Sequence, residues 1–278
     1  MSSIRWAFNI SRWEPTETEF TLASSCLQQE EKNRIGKFIF KKDIKASLAG
    51  RLMIRKCLSE YTGVPYNLVE ISRDVNGKPI YKDKNSKLPS VSFNVSHHGS
   101  FTVFAGEYNH SDIGIDVMKL EYNGRKSLDE YFQVMSRNFS LLEWKNINGT
   151  LNTTEQEKIK MFCRNWALKE SYVKAVGLGL KIDLCQLNFD IHSDLSIDNI
   201  TTNTSLYINN ALQAWKFEES LLDPLHCVIV ALKRTTLQED INKNEAVFKQ
   251  LTSIDLLESA IPILPPDDQY TKNFFSKL

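Results

Sequence analysis

The stretch Trp166–Gly177, WALKESYVKAVG, reads as the end of a helix stopped by a glycine, because glycine best fits the left-handed position after a last helical turn. Its side chains conflict with a simple buried helix. Lys169, Glu170 and Lys174 sit among Trp166, Leu168, Tyr172, Val173 and Val176. Successive helical residues rotate by about 100°, which puts Glu170 and Lys174 about 40° apart on one face, with apolar residues in most other directions. Two readings fit that face. One is a solvated i, i+4 ion pair contributing about 0.2–0.5 kcal/mol. The other makes Glu170 a hard-metal ligand or base and Lys174 an anion contact.

Working back along the chain, the helix is expected from about Thr154. Before it lie a helix around Leu128–Arg137 and a short one opened by the capping box Ser140-Leu-Leu-Glu143. IGIDVMKLE, from Ile113, is a strand. Its alternation sends Ile113, Ile115 and Val117 one way and Gly114, Asp116 and Met118 the other. A carboxylate inside so apolar a strand must be paired, hydrogen-bonded or metal-bound. The plain alternative for Asp116 is a structural salt bridge or a partly exposed strand position. Together, Asp116 and Glu170 suit Mg²⁺, which takes one or two protein carboxylates and completes its shell with water and phosphate oxygens.

The N-terminal region repeats the order of elements. Helices are expected over about Gln28–Phe40 and Asp43–Tyr61, the second striped by Ile44, Leu48, Leu52 and Leu58 and followed by Gly63. VEISRDVNGKPIYK predicts two short strands joined by a two-residue turn at Asn76-Gly77. VSFNVSHHGSFTVFAGE predicts a second strand pair turning at His98-Gly99-Ser100. CQLNFDI, TSLYIN, QAWKFEE and HCVIVALK follow the long helix as strands. The fold class is therefore α+β, with two pseudo-duplicated halves, each a long helix plus antiparallel strands. They span 1–112 and 113–234, with the site expected in the cleft between them. Residues 235–278 read as a polar, loosely ordered tail.

Candidate anion-binding residues cluster in the first half. Asn94-Val95-Ser96-His97 is placed at a strand end, where backbone N–H groups, a hydroxyl and an imidazole could converge on an anion. Lys78, past the Asn76-Gly77 turn, could reach a phosphate or sit in solvent. Arg34, Arg51 and Arg55 lie on helices, where solvated bases are common.

Bulk composition narrows the classes. Thirty-four basic residues balance thirty-four acidic ones, which argues against general nucleic-acid binding. The five cysteines are scattered without a CxxC pair, the pattern of free thiols in a reducing compartment. The N-terminus lacks the apolar core of a signal peptide, and no run is long enough to span a bilayer. A cytoplasmic protein with no membrane partner is expected.

These blocks together resemble a known family. G-I-D at 114–116 followed by W-A-L-K-E-S-Y-V-K at 166–174 is similar to the two-part signature of Sfp-type 4′-phosphopantetheinyl transferases. N-V-S-H at 94–97 and N-G-K-P at 76–79 match two further blocks in the same order. R-W-A-F near the start, E-K-N-R-I-G-K-F at 31–38, A-G-R-L-M-I-R-K at 49–56 and F-C-R-N-W-A-L-K-E-S at 162–171 resemble the animal members more closely. The resemblance covers roughly residues 4–235.

It implies transfer of the 4′-phosphopantetheine arm of coenzyme A to a serine of apo acyl- or peptidyl-carrier domains, with release of adenosine 3′,5′-bisphosphate. It implies one Mg²⁺ per site on Asp116 and Glu170, Glu170 as the base toward the serine, and Lys174 on the bridging phosphates. Coenzyme A would be held by Arg34, by Arg73, Asp74, Val75, Asn76, Gly77 and Lys78, and by Asn94, Val95, Ser96 and His97. Expected partners are carrier domains of fatty-acid synthase and of an aminoadipate-reducing enzyme, served by a monomer. The alternative is a non-catalytic relative that binds coenzyme A or carrier proteins. One position departs from the bacterial pattern: Met118 stands where many relatives carry a second acid, so water would replace that ligand. Lys169 belongs to the motif, with a supporting or a phosphate-contacting role as its two open readings.

Overall fold

The computed structural model describes residues 3–81, 91–108, 112–177, 179, 182–236 and 246–278. The chain forms two compact units, one of Met1–His110 with Phe248–Leu278 and the other of Ser111–Val247. Both mix helices with mainly antiparallel sheets, an α+β organisation. No helix among the described residues is long and apolar enough to cross a membrane.

The first unit begins with strand β1 (Ser3–Asn9), helices α1 (Glu17–Ser25) and α2 (Gln29–Ile35), and the 22-residue helix α3 (Lys41–Thr62). Strands β2 (Ile71–Arg73), β3 (Pro79–Tyr81), β4 (Val91–His98) and β5 (Phe101–Tyr108) follow. β5 pairs antiparallel with both β1 and β4. α3 buries Ile44, Leu48, Leu52 and Leu58 in the core of this unit, and it ends at Gly63, whose φ is +69°. The stripe expected on this helix is therefore its core face. α2 is shorter than expected. Beyond Ile35 the chain tightens into i→i+3 turns, with Lys37 N donating to Arg34 O and Phe38 N to Ile35 O.

The second unit comprises β6 (Ile113–Lys119), α4 (Leu128–Met135), α5 (Leu141–Asn148), α6 (Glu155–Val176) and strands β7 (Leu187–Asp190), β8 (Ser205–Ile208), β9 (Ala211–Leu212), β10 (Trp215–Asp223) and β11 (His226–Lys233). β11 lies between β10 and β6, and β8 between β7 and β9. α6 is opened by Thr154, whose hydroxyl accepts from Glu157 N, and closed by Gly177 at φ +70°.

α6 lies very close to β6, and Gly114 is what permits it. A Cβ at that position would stand 2.0 Å from Ser171 O and 2.5 Å from Ala175 N. Both atoms are helix backbone, which cannot swing aside as a side chain could. Gly114→Ala is therefore expected to force α6 off the strand and to destabilise the unit by about 1–3 kcal/mol or more, read as a lowered urea midpoint. An unchanged midpoint would show that the helix tolerates the methyl.

The expected loose tail from 235 is corrected over Phe248–Leu278. Strand β12 (Lys249–Leu251) pairs parallel with β1, and helices α7 (Ser253–Leu257) and α8 (Asp268–Phe275) follow. Leu251, Leu256 and Phe274 are buried in the first unit's core, and Phe274 stacks on Phe20 with ring centroids 3.9 Å apart. The overall polarity of the segment conceals these few apolar anchors. Residues 237–245 lie outside the described residues.

Candidate active site

From its middle onward, α6 carries its charges at Arg164, Lys169, Glu170 and Lys174, and the three basic ones recur every five residues. That spacing turns each about 140° from the last, so each meets a different neighbour. Arg164 Nε donates to Glu219 Oε2 of β10 at 2.8 Å. Lys169 Nζ reaches Glu143 Oε2 of α5 at 2.8 Å. Lys174 Nζ donates to Asp116 Oδ1 of β6 at 2.6 Å.

Asp116 is buried and sits in the middle of β6, opposite Ile229 of β11. Its face carries Gly114 and Met118, as the alternation predicts. The close approach at Gly114 sets Glu170 and Lys174 beside it, because Ser171 and Ala175 are the next residues along the same helix. Lys174 thus bonds across to the strand and does not serve only as an i, i+4 partner of Glu170. Burial raises the Glu170 carboxyl above its ordinary range. The Lys174 ammonium opposes that rise, and the Asp116 carboxylate adds to it. The two carboxylates therefore feel each other, and both feel the Lys174 charge. Met118 packs against the apolar core of the unit and adds no oxygen to the pair.

Lys169 belongs to a different arrangement. Its side chain and that of Glu143 are both fully buried. The ammonium also donates to Leu184 O at 2.8 Å and Leu187 O at 2.6 Å, and it lies over the rings of Phe139 and Phe189. A phosphate contact for Lys169 is not compatible with this burial. Glu143 is the N3 residue of the capping box read from the sequence, accepting from Ser140 N at 2.8 Å. One carboxylate thus caps α5 and holds α6.

A second cluster forms in the first unit. Arg34 of α2, Arg51 of α3 and Arg73 of β2 lie close enough to act on one another, with Glu30 and Glu31 among them. Burial and the Arg73 charge both lower the pKa of Arg34. Arg51 is lowered to about 10, chiefly by burial, with Glu31 opposing and Arg73 and Arg34 adding. Arg51 Nε meets Glu31 Oε1 at 3.2 Å, while its buried Nη1 has no hydrogen-bond partner among the described residues. Crowded guanidiniums whose charges oppose one another form a site that an anion would relieve. Gln28 ties the pieces together: its amide exchanges hydrogen bonds with Ile71 N and O, which docks β2 onto the start of α2. Arg51 was legible only as one helix base among several. Nothing in its spacing separates it from Arg55, which instead bonds Tyr66 O and Val69 O.

The hairpin beside Arg73 differs from the expected two-residue turn. Arg73 pairs with Pro79, leaving a five-residue loop, 74–78. Asp74 organises it, with Oδ1 accepting from Asn76 N and from Lys78 N, each at 2.9 Å. Gly77 adopts φ +84°, and its carbonyl accepts from Arg73 Nη1 at 2.7 Å. Val75 at the tip is fully exposed. The Asp74 side chain, rather than the Asn-Gly pair alone, sets the loop length.

Asn94–His97 lie at the strand end, as expected. The strand β4 runs on to His98, and all four residues pair with β5, from Asn94 opposite Ala105 to His97 opposite Thr102. The turn begins at Gly99, at φ +59°. The backbone of these four residues is therefore engaged in the ladder beside the turn. Asn94 and Ser96 share one face and are buried; Val95 and His97 share the other, and His97 is exposed.

Comparison with known proteins agrees across both units. Residues 11–109 match the family described as 4′-phosphopantetheinyl transferase, N-terminal. Residues 112–230 match the 4′-phosphopantetheinyl transferase superfamily. The L-aminoadipate-semialdehyde dehydrogenase-phosphopantetheinyl transferase of Pongo abelii is 40% identical over 281 residues, covering 97% of this chain and 90% of its own length. A phosphopantetheinyl transferase of Thraustochytrium sp. is 33% identical over 90% of this chain and 85% of its own. The 4′-phosphopantetheinyl transferase Sfp of Bacillus subtilis is 26% identical over 66% of this chain and 76% of its own. Identity at that level over nearly the whole chain, with both units matched, leads to one conclusion: the chain belongs to the 4′-phosphopantetheinyl transferase superfamily of enzymes.

Proposed function

We propose that the protein transfers the 4′-phosphopantetheine arm of coenzyme A to a serine hydroxyl of apo acyl- or peptidyl-carrier domains and releases adenosine 3′,5′-bisphosphate. The observation that carries this reading is the gathering of Asp116, Glu170 and Lys174 where α6 crosses β6. Displacement on a phosphoanhydride needs positioning and charge neutralisation more than covalent catalysis, and two acids beside one lysine suit that demand.

Among the described residues no group of three or more His, Cys, Asp or Glu is gathered for a metal. An all-oxygen pair of carboxylates nevertheless fits Mg²⁺, which prefers hard donors and leaves most of its shell to water and phosphate. Asp116 and Glu170 would hold it, and when bound it would supply positive charge to the phosphate oxygens. Glu170, raised by burial, is the acceptor for the serine proton. Lys174 balances charge on the bridging phosphates as the bisphosphate departs. In the first unit, Arg34, Arg73 and Lys78 hold phosphates of coenzyme A, with the loop 74–78 and the strand residues Asn94, Val95, Ser96 and His97 lining the nucleotide. Arg51 joins them as a second-row cation behind Arg34 and Arg73.

The test is to incubate the protein with coenzyme A, Mg²⁺ and several apo carrier proteins, including one from a fatty-acid synthase, and to weigh each carrier. The expected result is a carrier heavier by one phosphopantetheine on its serine. Coenzyme A binding by calorimetry without any adduct would replace the assignment with a non-catalytic binding role.

A further inference from the structure

Arg34 and Lys32 stand on one short helix but serve opposite sides of it. Two residues along a helix is a rotation of about 200°, so Arg34 and Glu31 address the arginine cluster while Lys32 turns toward the C-terminal segment. There, Lys32 Nζ meets Asp267 Oδ2 at 2.8 Å and lies 4.8 Å from the centre of the Tyr270 ring. The Tyr270 hydroxyl donates to Lys32 O at 3.2 Å. Gly36 faces the same ring, where a Cβ would come within 3.0 Å of it. The grip continues past α2: Lys277 Nζ donates to Phe38 O at 2.6 Å and Lys41 N to Leu278 O at 2.7 Å. α8 itself is fixed to α1 by the Phe20–Phe274 stack and by the Thr21–Thr271 hydroxyl contact at 2.8 Å.

α2 is only seven residues long, too short to hold its own geometry without tertiary support. On one side it is tied by Gln28 to β2; on the other it rests on α8. The segment that supplies this support, Phe248–Leu278, follows the second stretch described by the family models, which ends at residue 230. We infer that α8 is a positioning element for coenzyme A: the Lys32–Asp267–Tyr270 contact sets the orientation of α2 and thereby the placement of Arg34 beside Arg51 and Arg73. This rests on the reading of that cluster as the coenzyme A phosphate site.

Asp267→Asn separates positioning from folding. Asn caps a helix as well as Asp does, so the bond from Tyr270 N to residue 267 survives while the charge facing Lys32 is lost. Tyr270→Phe removes the hydroxyl contact and keeps the ring. In the Asp267→Asn/Tyr270→Phe protein, the dissociation constant and KM for coenzyme A are expected to rise roughly threefold to tenfold. The kcat at saturating coenzyme A and the KM for the carrier should stay within about twofold of wild type. Asp267→Glu, which keeps the charge, should bind coenzyme A nearly as wild type does. Calorimetry well below the unfolding transition reads the binding directly. A double variant with wild-type affinity, or one whose kcat falls while its KM for coenzyme A holds, overturns the inference alone. Wild-type protein that binds no coenzyme A overturns both the inference and the assigned reaction.

Discussion

Glu170→Gln is expected to slow phosphopantetheine transfer by about a hundredfold to ten-thousandfold, the range supplied by a positioned proton acceptor, while the protein folds and binds coenzyme A. The substitution is isosteric, and it removes a charge that burial already disfavours. What remains is Asp116 with Lys174, a pair 2.6 Å apart that balances itself. The thermal midpoint should therefore move little. With the first unit's arginines proposed as the main coenzyme A contacts, coenzyme A affinity should hold within severalfold. Single-turnover transfer to an apo carrier, followed by mass, reads the chemical step apart from product release. Near-normal turnover would remove Glu170 from the chemistry and leave it as a charge beside Lys174.

Local chemistry was legible where one residue decides the outcome. Thr154 and Gly177 bound α6 at the expected ends, and Ser140 with Glu143 caps α5 as the spacing predicts. The alternation of β6 put Asp116 on the same face as Gly114 and Met118, the face that α6 covers. What could not be read was which charge meets which. On a helical wheel Lys174 is nearest Glu170, yet it bonds to Asp116, because a strand brought close by a glycine competes with the helix's own neighbour. Arg51 joins the basic cluster and Arg55 does not, though they differ by a single turn. The C-terminal elements are illegible in the sequence for another reason. Leu251, Leu256 and Phe274 are too few and too widely spaced to form a stripe, and β12 gains its order from pairing with a strand some 240 residues earlier in the chain.

The charges in WALKESYVKAVG have separate explanations, and Lys169 offers the sharpest test of them. Lys169→Met is expected to destabilise the second unit by about 3–5 kcal/mol, because removing one partner of a buried ion pair strands the other. Glu143 would be left as a fully buried carboxylate, and Leu184 O and Leu187 O would lose their donor. The disruption spreads from α6 to α5 and to the chain entering β7, since this one ammonium joins all three. Glu143→Gln should cost less. It keeps an oxygen to accept from Ser140 N, and Lys169 retains both carbonyl partners. Lys169→Met/Glu143→Leu should recover part of the loss of the single variant, as apolar replacements of buried pairs often do. Urea unfolding followed by tryptophan fluorescence reports on this unit, where Trp144 and Trp166 pack around Phe139 beside the pair. A loss below about 1 kcal/mol for Lys169→Met, the scale of an exposed pair, would mean that the ammonium reaches water, and a contact of Lys169 with phosphate would again be open.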